Sequence, residues 1–189
     1  MTDPRSPLAL KIINANPNAY ERLVVDGLAG EGALELLLNV TPSQLLSAPV
    51  KSQSDADAML AGLWIWNDDL KESHAIVQQH EGDPTHSLWH AILHRREGDF
   101  GNSKYWFARC RNHPVLQILG AQAPSVLNSL PADKSLLRLI MDGWSPDALV
   151  DLVEQVHKRP DDPRFDVAVA LQKLEWRTLF DHCVRAATG

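Results

Sequence analysis

Residues 89–107 read WHAILHRREGDFGNSKYWF, and this stretch decides how the chain folds. Its turn segment DFGNS, at 99–103, matches DLKES at 69–73, which lies 30 residues earlier. A repeat of this period is typical of stacked helical pairs, because each unit buries its apolar face against its neighbours. The sequence therefore predicts two consecutive helical hairpins over residues 55–114.

The two units resemble tetratricopeptide-type hairpins in the residues around the turn. That family has a small residue midway along the first helix, an acid and a large apolar residue at the turn, and a small residue early in the second helix. The matching residues are Ala61, Asp69, Leu70 and Ser73 in the first unit and Ala91, Asp99, Phe100 and Ser103 in the second. The family's leading aromatic residue is replaced by Asp57 and Ser87. The resemblance implies pairs of packed helices, each closed by a short turn.

The chain as a whole has helical periodicity and almost no alternating strand pattern, so we predict an all-α fold. Its 189 residues, 44% of them hydrophobic, are enough for one compact domain over 1–189. The predicted parts are short N-terminal helices over 1–54, the two hairpins over 55–114, and C-terminal helices over 115–189.

Start signals containing proline place helices outside the hairpins. Thr41-Pro42-Ser43 and Ser145-Pro146-Asp147 each combine a capping residue with a proline in the first turn. A helix is also expected to begin at Pro17 and Asn18, and a long one is expected from Arg164 to Ala187. These elements are predicted to pack around the hairpins.

Charge and composition argue against several classes of protein. The formal charge of −6 is unfavourable for a general nucleic-acid binder, which needs a basic face. No apolar run has the length of a signal peptide or a membrane span, so a cytoplasmic protein without membrane association is expected. Cys110 and Cys183 have no metal-binding or disulfide spacing and are predicted to be buried thiols. The sequence gives no indication of an oligomeric state.

The repeat alignment makes a specific prediction about two histidines. His90 and His94 take the positions of Leu60 and Trp64, which are expected to face the partner helix. A buried polar group without a partner costs about 1–3 kcal/mol, so each imidazole needs a hydrogen bond, a carboxylate, a ligand or a metal ion. At about 100° per residue, Glu97 lies in the same sector of the helix as both rings.

One hypothesis is a divalent metal site formed by His90, His94 and Glu97, because imidazoles at i and i+4 can chelate a single ion. A further ligand is expected from the preceding hairpin, with His74, Asp68 and Asp69 as the candidates. The residue after His90 is Ala91 rather than glutamate, which disfavours a zinc-protease motif. A metal-dependent or histidine-based enzyme would use His74 or His90 as an acid or base. The structural alternative is a buried polar network that fixes the register of the hairpins.

A second hypothesis is a site for a small anionic ligand or a peptide. Residues 94–111 contain five basic side chains against two acidic ones, inside an acidic protein. We predict Arg95, Arg96 and Lys104 at the edge of such a groove, with Tyr105 at its rim, because guanidinium groups suit carboxylates and phosphates. The structural alternative is a solvated charged face.

The core sequence W-H-A-I-L-H-R-R-E-G-D, residues 89–99, resembles that of a family of uncharacterised soluble proteins that share W-H-A-I-x-H-R-R-E. The resemblance implies that residues 89–107 act as one unit, and it implies no substrate or cofactor. The function expected from the sequence is a helical binding module of unassigned ligand. A metal-dependent or histidine-based enzyme and a purely structural network are the alternatives.

Overall fold

The computed structural model describes residues 3–25, 31–128 and 134–189. These residues form helices joined by short turns and 3₁₀ segments, with isolated bridges in place of strands, so the all-α prediction is confirmed. The helices are α1 Pro7–Ala15, α2 Glu31–Leu37, α3 Gln53–Trp66, α4 Leu70–Val77, α5 Pro84–Glu97, α6 Phe100–Arg109, α7 Pro114–Asn128, α8 Pro146–Val156 and α9 Arg164–Thr188. None of these helices is long and apolar enough to cross a membrane.

Helices α3 and α4 form one hairpin and helices α5 and α6 form the next, and the two turns have the same backbone geometry. A residue in the left-handed region ends the first helix of each pair, Asp68 at φ +61° and Gly98 at φ +83°. An aspartate then caps the second helix, Asp69 accepting from the amide of Glu72 and Asp99 from the amide three residues after it, both at 3.1 Å. The predicted hairpins and their 30-residue offset are therefore present in the backbone. Kinship with tetratricopeptide repeats stays a prediction.

The hairpins pack in sequence order, and the long helix α9 closes the structure. Helix α4 lies against α5, so the first hairpin contacts the second directly. Helix α9 packs against α3, α7 and α8, and α8 also contacts α6. This arrangement surrounds α5, in which every residue from Thr85 to Arg96 is buried. Polar side chains on such a helix lose their contact with water, so their partners have to come from the protein or from a bound ligand.

The N-terminal helix differs in position from the prediction. Helix α1 precedes Pro17 and begins at Pro7, because the Ser6 hydroxyl caps it by accepting from the Ala9 amide at 3.2 Å. Residues 17–24 form turns instead of the predicted helix, and Tyr20 has a left-handed φ of +65°. The turn segment is held by the end of α5, where the Val25 amide donates to the Arg96 carbonyl at 2.7 Å.

Several other start signals lie where the sequence places them. Pro42 begins a short 3₁₀ segment, and Ser145 caps α8 by accepting from the Ala148 amide at 3.2 Å. Helix α9 begins at Arg164 as predicted and ends one residue after Ala187. Both cysteines are buried, as expected of unpaired thiols.

Candidate metal centre

Three histidines from two helices meet on one side of α5. His90 and His94 lie one turn apart on α5, and His74 reaches them from α4. One ligand nitrogen from each of the three rings lies within 4.8 Å of the others, and among the described residues no other cluster of three potential ligands meets this geometry. The site therefore joins the first hairpin to the second. The repeat alignment predicted the burial of His90 and His94, which are 4% and 7% exposed.

The separation of the three nitrogens is close to that of a metal site. Tetrahedral zinc with imidazole ligands at about 2.0–2.1 Å places the nitrogens about 3.4 Å apart. A spacing of up to 4.8 Å thus has to close by about 1.4 Å, which side-chain torsions can supply.

The His90 ring is held by stacking alone. It lies between His94, at a centroid distance of 4.7 Å, and Trp106 of α6, at 4.0 Å, and it is nearly parallel to both. His74 contacts it edge-on at 4.8 Å. Within the described residues, neither His90 nor His74 has a hydrogen-bond partner for its ring nitrogens. Both rings are fixed in position while their lone pairs stay uncommitted.

His94 is held differently, because both of its ring nitrogens have partners. Nδ1 lies 2.9 Å from Oε2 of Glu97, and Nε2 lies 3.1 Å from Nδ2 of Asn102. A carboxylate only accepts, so the neutral ring carries its proton on Nδ1 and donates it to Glu97. Nε2 then keeps its lone pair and accepts from the Asn102 amide. This is the tautomer that a metal ion at Nε2 requires, with the carboxylate orienting the ring from behind.

Burial sets the protonation of the other two rings. Burial, reinforced by the nearby rings of His94 and His74, lowers the pKa of His90 to about 3. Burial also lowers the pKa of His74, with a further contribution from His94. Both imidazoles are therefore neutral near pH 7, which is the form that binds a metal ion.

Glu97 has a different position from the one expected of a metal ligand. The sequence predicts the set His90, His94 and Glu97 with His74 among the candidates for a further ligand, whereas the cluster consists of His74, His90 and His94. Glu97 is one turn beyond His94, and its carboxylate turns back to Nδ1 of that ring. Residue spacing puts Glu97 in the right sector of α5, but only the packing of α4 brings in the third imidazole. The structure thus places Glu97 behind the His94 ring.

Comparison with protein-family models, with curated proteins and with solved structures finds no match to this chain. Both resemblances seen in the sequence therefore stay predictions. A functional interpretation rests on the geometry of the described residues.

Arg95 lies in the interior, away from the groove edge predicted for it. Its guanidinium group is fully buried and donates to Glu175 of α9 through Nη2 and, at 3.4 Å, through Nη1. Its Nε donates to Gln172 at 2.9 Å. Glu175 is itself 2% exposed, so the charges are paired away from solvent. The pair ties α5 to α9.

Arg96 is buried on another side of the same helix. Its guanidinium group donates to the Asp68 carboxylate and to the Arg22 carbonyl, and its carbon lies 4.1 Å from the centre of the Tyr20 ring. Burial lowers the pKa of Arg96, while Tyr20 and Asp68 oppose that effect. The residue thus connects the second hairpin to the turn of the first and to the N-terminal segment. Like Arg95, it lies in the interior and not at the predicted groove edge, because its guanidinium group pairs with a carboxylate from another part of the chain.

Lys104 and Tyr105 lie on the surface of α6. The Lys104 ammonium donates to Asp151 of α8 at 2.5 Å, and this hydrogen bond raises the pKa of Lys104. Tyr105 is 55% exposed, and its hydroxyl accepts from Arg109 at 3.2 Å. The basic cluster seen in the sequence is therefore divided among three separate places in the structure.

Two members of the site escaped the sequence reasoning. Asn102 contacts His94 from across the turn, and Trp106 stacks on His90 from one turn further along α6. The predicted hairpin already brings the start of α6 back towards the end of α5. The signal available in the sequence was the presence of polar and aromatic side chains along α6, which the predicted hairpin packs against α5.

Proposed function

We propose that this protein binds one divalent ion of the zinc class through His74, His90 and His94. The observation that carries the proposal is the convergence of three imidazoles from two helices, with their ligand nitrogens within 4.8 Å. Two of the rings have no hydrogen-bond partner among the described residues, and the third presents a lone pair at Nε2. The ring nitrogens of His74 and His90 are therefore open to an additional ligand, since no group of the described protein competes for them.

The chemistry of the donors selects the class of ion. Three imidazoles suit Zn²⁺, Cu²⁺, Ni²⁺ and Co²⁺, whereas Ca²⁺ and Mg²⁺ require oxygen ligands. Three protein ligands leave a tetrahedral ion one position for water or an exogenous ligand. Both cysteines are too far from the cluster to join it, since Cys110 and Cys183 are absent from the group that converges.

Glu97 supports the proposal through its hydrogen bond to His94, although it is not one of the three proposed ligands. Metal-bound histidines usually donate their other ring N–H to a carboxylate or a carbonyl, which fixes the ring and raises its basicity. The bond of 2.9 Å from Nδ1 of His94 to Glu97 has this arrangement. Glu97 is 39% exposed on its side chain, so a variant at this position tests orientation without opening the core.

The anionic-ligand hypothesis has less support. It relied on Arg95, Arg96 and Lys104, and each of these side chains is engaged with a carboxylate of the protein itself. An anion would have to compete with Glu175, Asp68 or Asp151 for them. The metal hypothesis needs no such exchange at His74 or His90.

The experiment is elemental analysis of tag-free protein, followed by titration of the metal-free protein with Co²⁺. We expect one ion per chain and the visible absorption of tetrahedral Co²⁺. His90→Ala and His74→Ala should each abolish the absorption, whereas Glu97→Gln should weaken binding about 10- to 100-fold. His157→Ala, which changes a histidine outside the cluster, is the matched control and should bind as wild type does.

The contradicting result is equally concrete. A metal-free protein that takes up no Co²⁺ or Zn²⁺ at micromolar concentration would refute the proposal. Binding that survives His90→Ala but is lost in His157→Ala would place the ion elsewhere. Thermal unfolding with added Zn²⁺ gives a second readout, since a free ion at 100 times Kd stabilises the folded state by about 2.7 kcal/mol.

A further inference from the structure

The contact between Asn102 and His94 bears on how the metal site is regulated. Asn102 Nδ2 lies 3.1 Å from Nε2 of His94. That nitrogen carries the ring's lone pair, because Nδ1 donates its proton to Glu97. A lone pair can serve a hydrogen bond or a metal ion, and it cannot serve both. Asn102 and the ion therefore require the same atom.

We propose that Asn102 competes with the ion for the metal site. Its amide donates to Nε2 of His94 in the metal-free protein and is displaced from that nitrogen when the ion binds. The inference rests on the proposed function, because it assigns a competitor for one of the three ligands. Neither of the other two rings has such a competitor among the described residues. The binding of the ion is thus coupled to the movement of one amide side chain.

The position of Asn102 makes this movement local. Its backbone amide is fixed in the first turn of α6, where it donates to the Asp99 carboxylate at 3.1 Å. The side chain is half-buried and has no partner other than His94 among the described residues. Rotation about its side-chain torsions releases Nε2 without disturbing the cap of α6. The exchange needs no change in the hairpin backbone.

The released amide also has a defined use. It carries two N–H donors next to Nε2 of His94, and a metal-bound oxygen ligand is an acceptor. An exogenous carboxylate or hydroxide on the ion is therefore the class of ligand that the released Asn102 can recognise. Asn102 thus donates to Nε2 of His94 in the metal-free protein and to the exogenous ligand in the metal-bound protein.

The test compares Co²⁺ affinity in wild type, Asn102→Ala and Asn102→Leu, each prepared metal-free. Both variants remove the competing N–H, and Asn102→Leu also keeps the side-chain volume. A hydrogen bond of ordinary net strength corresponds to a factor of about 3 to 10, so both variants should bind Co²⁺ more tightly by about that factor. Asn14→Ala, an exposed asparagine on α1, is the control and should not alter affinity.

Acetate added to the Co²⁺ protein gives the second readout. Wild type should bind acetate at the metal more tightly than either Asn102 variant does, seen as a smaller concentration for the same spectral change. Unchanged or weaker Co²⁺ binding in both variants would refute the competition between Asn102 and the ion, even with one Co²⁺ bound per wild-type chain. A wild-type chain that binds no Co²⁺ would instead refute the proposed function.

Discussion

The two hairpins share a backbone turn and differ in what they bury. The first hairpin places Leu60, Trp64, Ile65 and Trp66 along the end of α3, and the second places His90, His94, Arg95 and Arg96 at the equivalent positions of α5. All eight side chains are buried or half-buried. The same framework therefore accepts an apolar interior and a polar one. His94 finds its partners within the same hairpin, whereas the difference teaches that the two buried arginines depend on partners outside it.

Those partners come from distant parts of the chain. Asp68 is the turn residue of the first hairpin, and Glu175 lies on the last helix. An apolar side chain needs only surrounding atoms, whereas a buried charge needs a counter-charge at one defined place. The second hairpin is thus the more demanding of the two, and single substitutions should separate them.

The largest effect is expected from breaking the Arg95 pair. Glu175→Ala leaves a fully buried guanidinium without its carboxylate and should lower the free energy of unfolding by about 3–5 kcal/mol. The double variant Arg95→Leu, Glu175→Leu makes this position resemble Ile65 of the first hairpin and should recover most of that loss. Urea unfolding of the two variants checks both expectations. A double variant as unstable as Glu175→Ala would contradict them.

The next effect concerns Gly62 and Ile92, which the offset aligns. Ile92 fills the core of the second hairpin, and Ile92→Ala should cost about 2–5 kcal/mol through the cavity it creates. At Gly62 a Cβ atom would lie 2.6 Å from the Trp89 ring, so Gly62→Ala should cost about 1–3 kcal/mol by overpacking. Thermal unfolding should rank Ile92→Ala as the less stable variant. An unchanged melting temperature for Gly62→Ala would show that Trp89 can move aside.

A smaller effect on stability is expected from the protonation of His113, which contacts Thr85 at the start of the second hairpin. His113 accepts from the Val115 amide through Nδ1, at 3.2 Å, and its Nε2 contacts the Thr85 hydroxyl, at 3.2 Å. Burial, with the neighbouring His182, lowers the pKa of His113 to about 4. Below the unfolded-state pKa of about 6.5, the unfolded chain binds the proton more readily. Stability should therefore fall as the pH decreases from 6.5 towards 4.

The measurement is urea unfolding at pH 7, 6 and 5 in wild type and in His113→Asn. Asparagine also caps helices and does not titrate in this range. The wild-type free energy of unfolding should fall by up to about 1 kcal/mol per pH unit more than that of the variant. Parallel pH profiles would mean that His113 binds its proton equally in both states.

The smallest effect is expected from making the interior of the second hairpin more like that of the first. His90→Leu introduces the residue that occupies the aligned position 60. Because the His90 ring has no hydrogen bond within the described residues, the metal-free variant should stay within about 1 kcal/mol of wild-type stability. Unfolding in the presence of a chelator checks this. A large loss would favour the structural network over the metal site.

The sequence was sufficient for the parts of this fold that depend on neighbouring residues. The two turns, the Ser145 cap and the long helix from Arg164 follow from local spacing and capping chemistry. The helix predicted from Pro17 is replaced by turns over residues 17–24, and the end of this segment is bound by α5 through the bond from the Val25 amide to the Arg96 carbonyl. Such a tertiary bond leaves no local signal in the sequence.

The candidate site shows where such reasoning stops. The burial of His90 and His94 followed from the alignment with Leu60 and Trp64, because equivalent positions in a repeat face the same neighbour. The third imidazole and the partner of Arg95 lie on other helices, the latter 80 residues away in sequence. Periodicity defines the face of a helix and carries no information about which charge on a distant helix meets it.

The closure of α9 over α5 has a consequence for the order in which the protein is made. Glu175 and Gln172 are synthesised about eighty residues after Arg95, so a nascent chain carries an unpaired cation at its centre until its last helix emerges. The three histidines, in contrast, all lie between residues 74 and 94 and are complete much earlier. The proposed metal site is thus encoded before α7, α8 and α9 are synthesised.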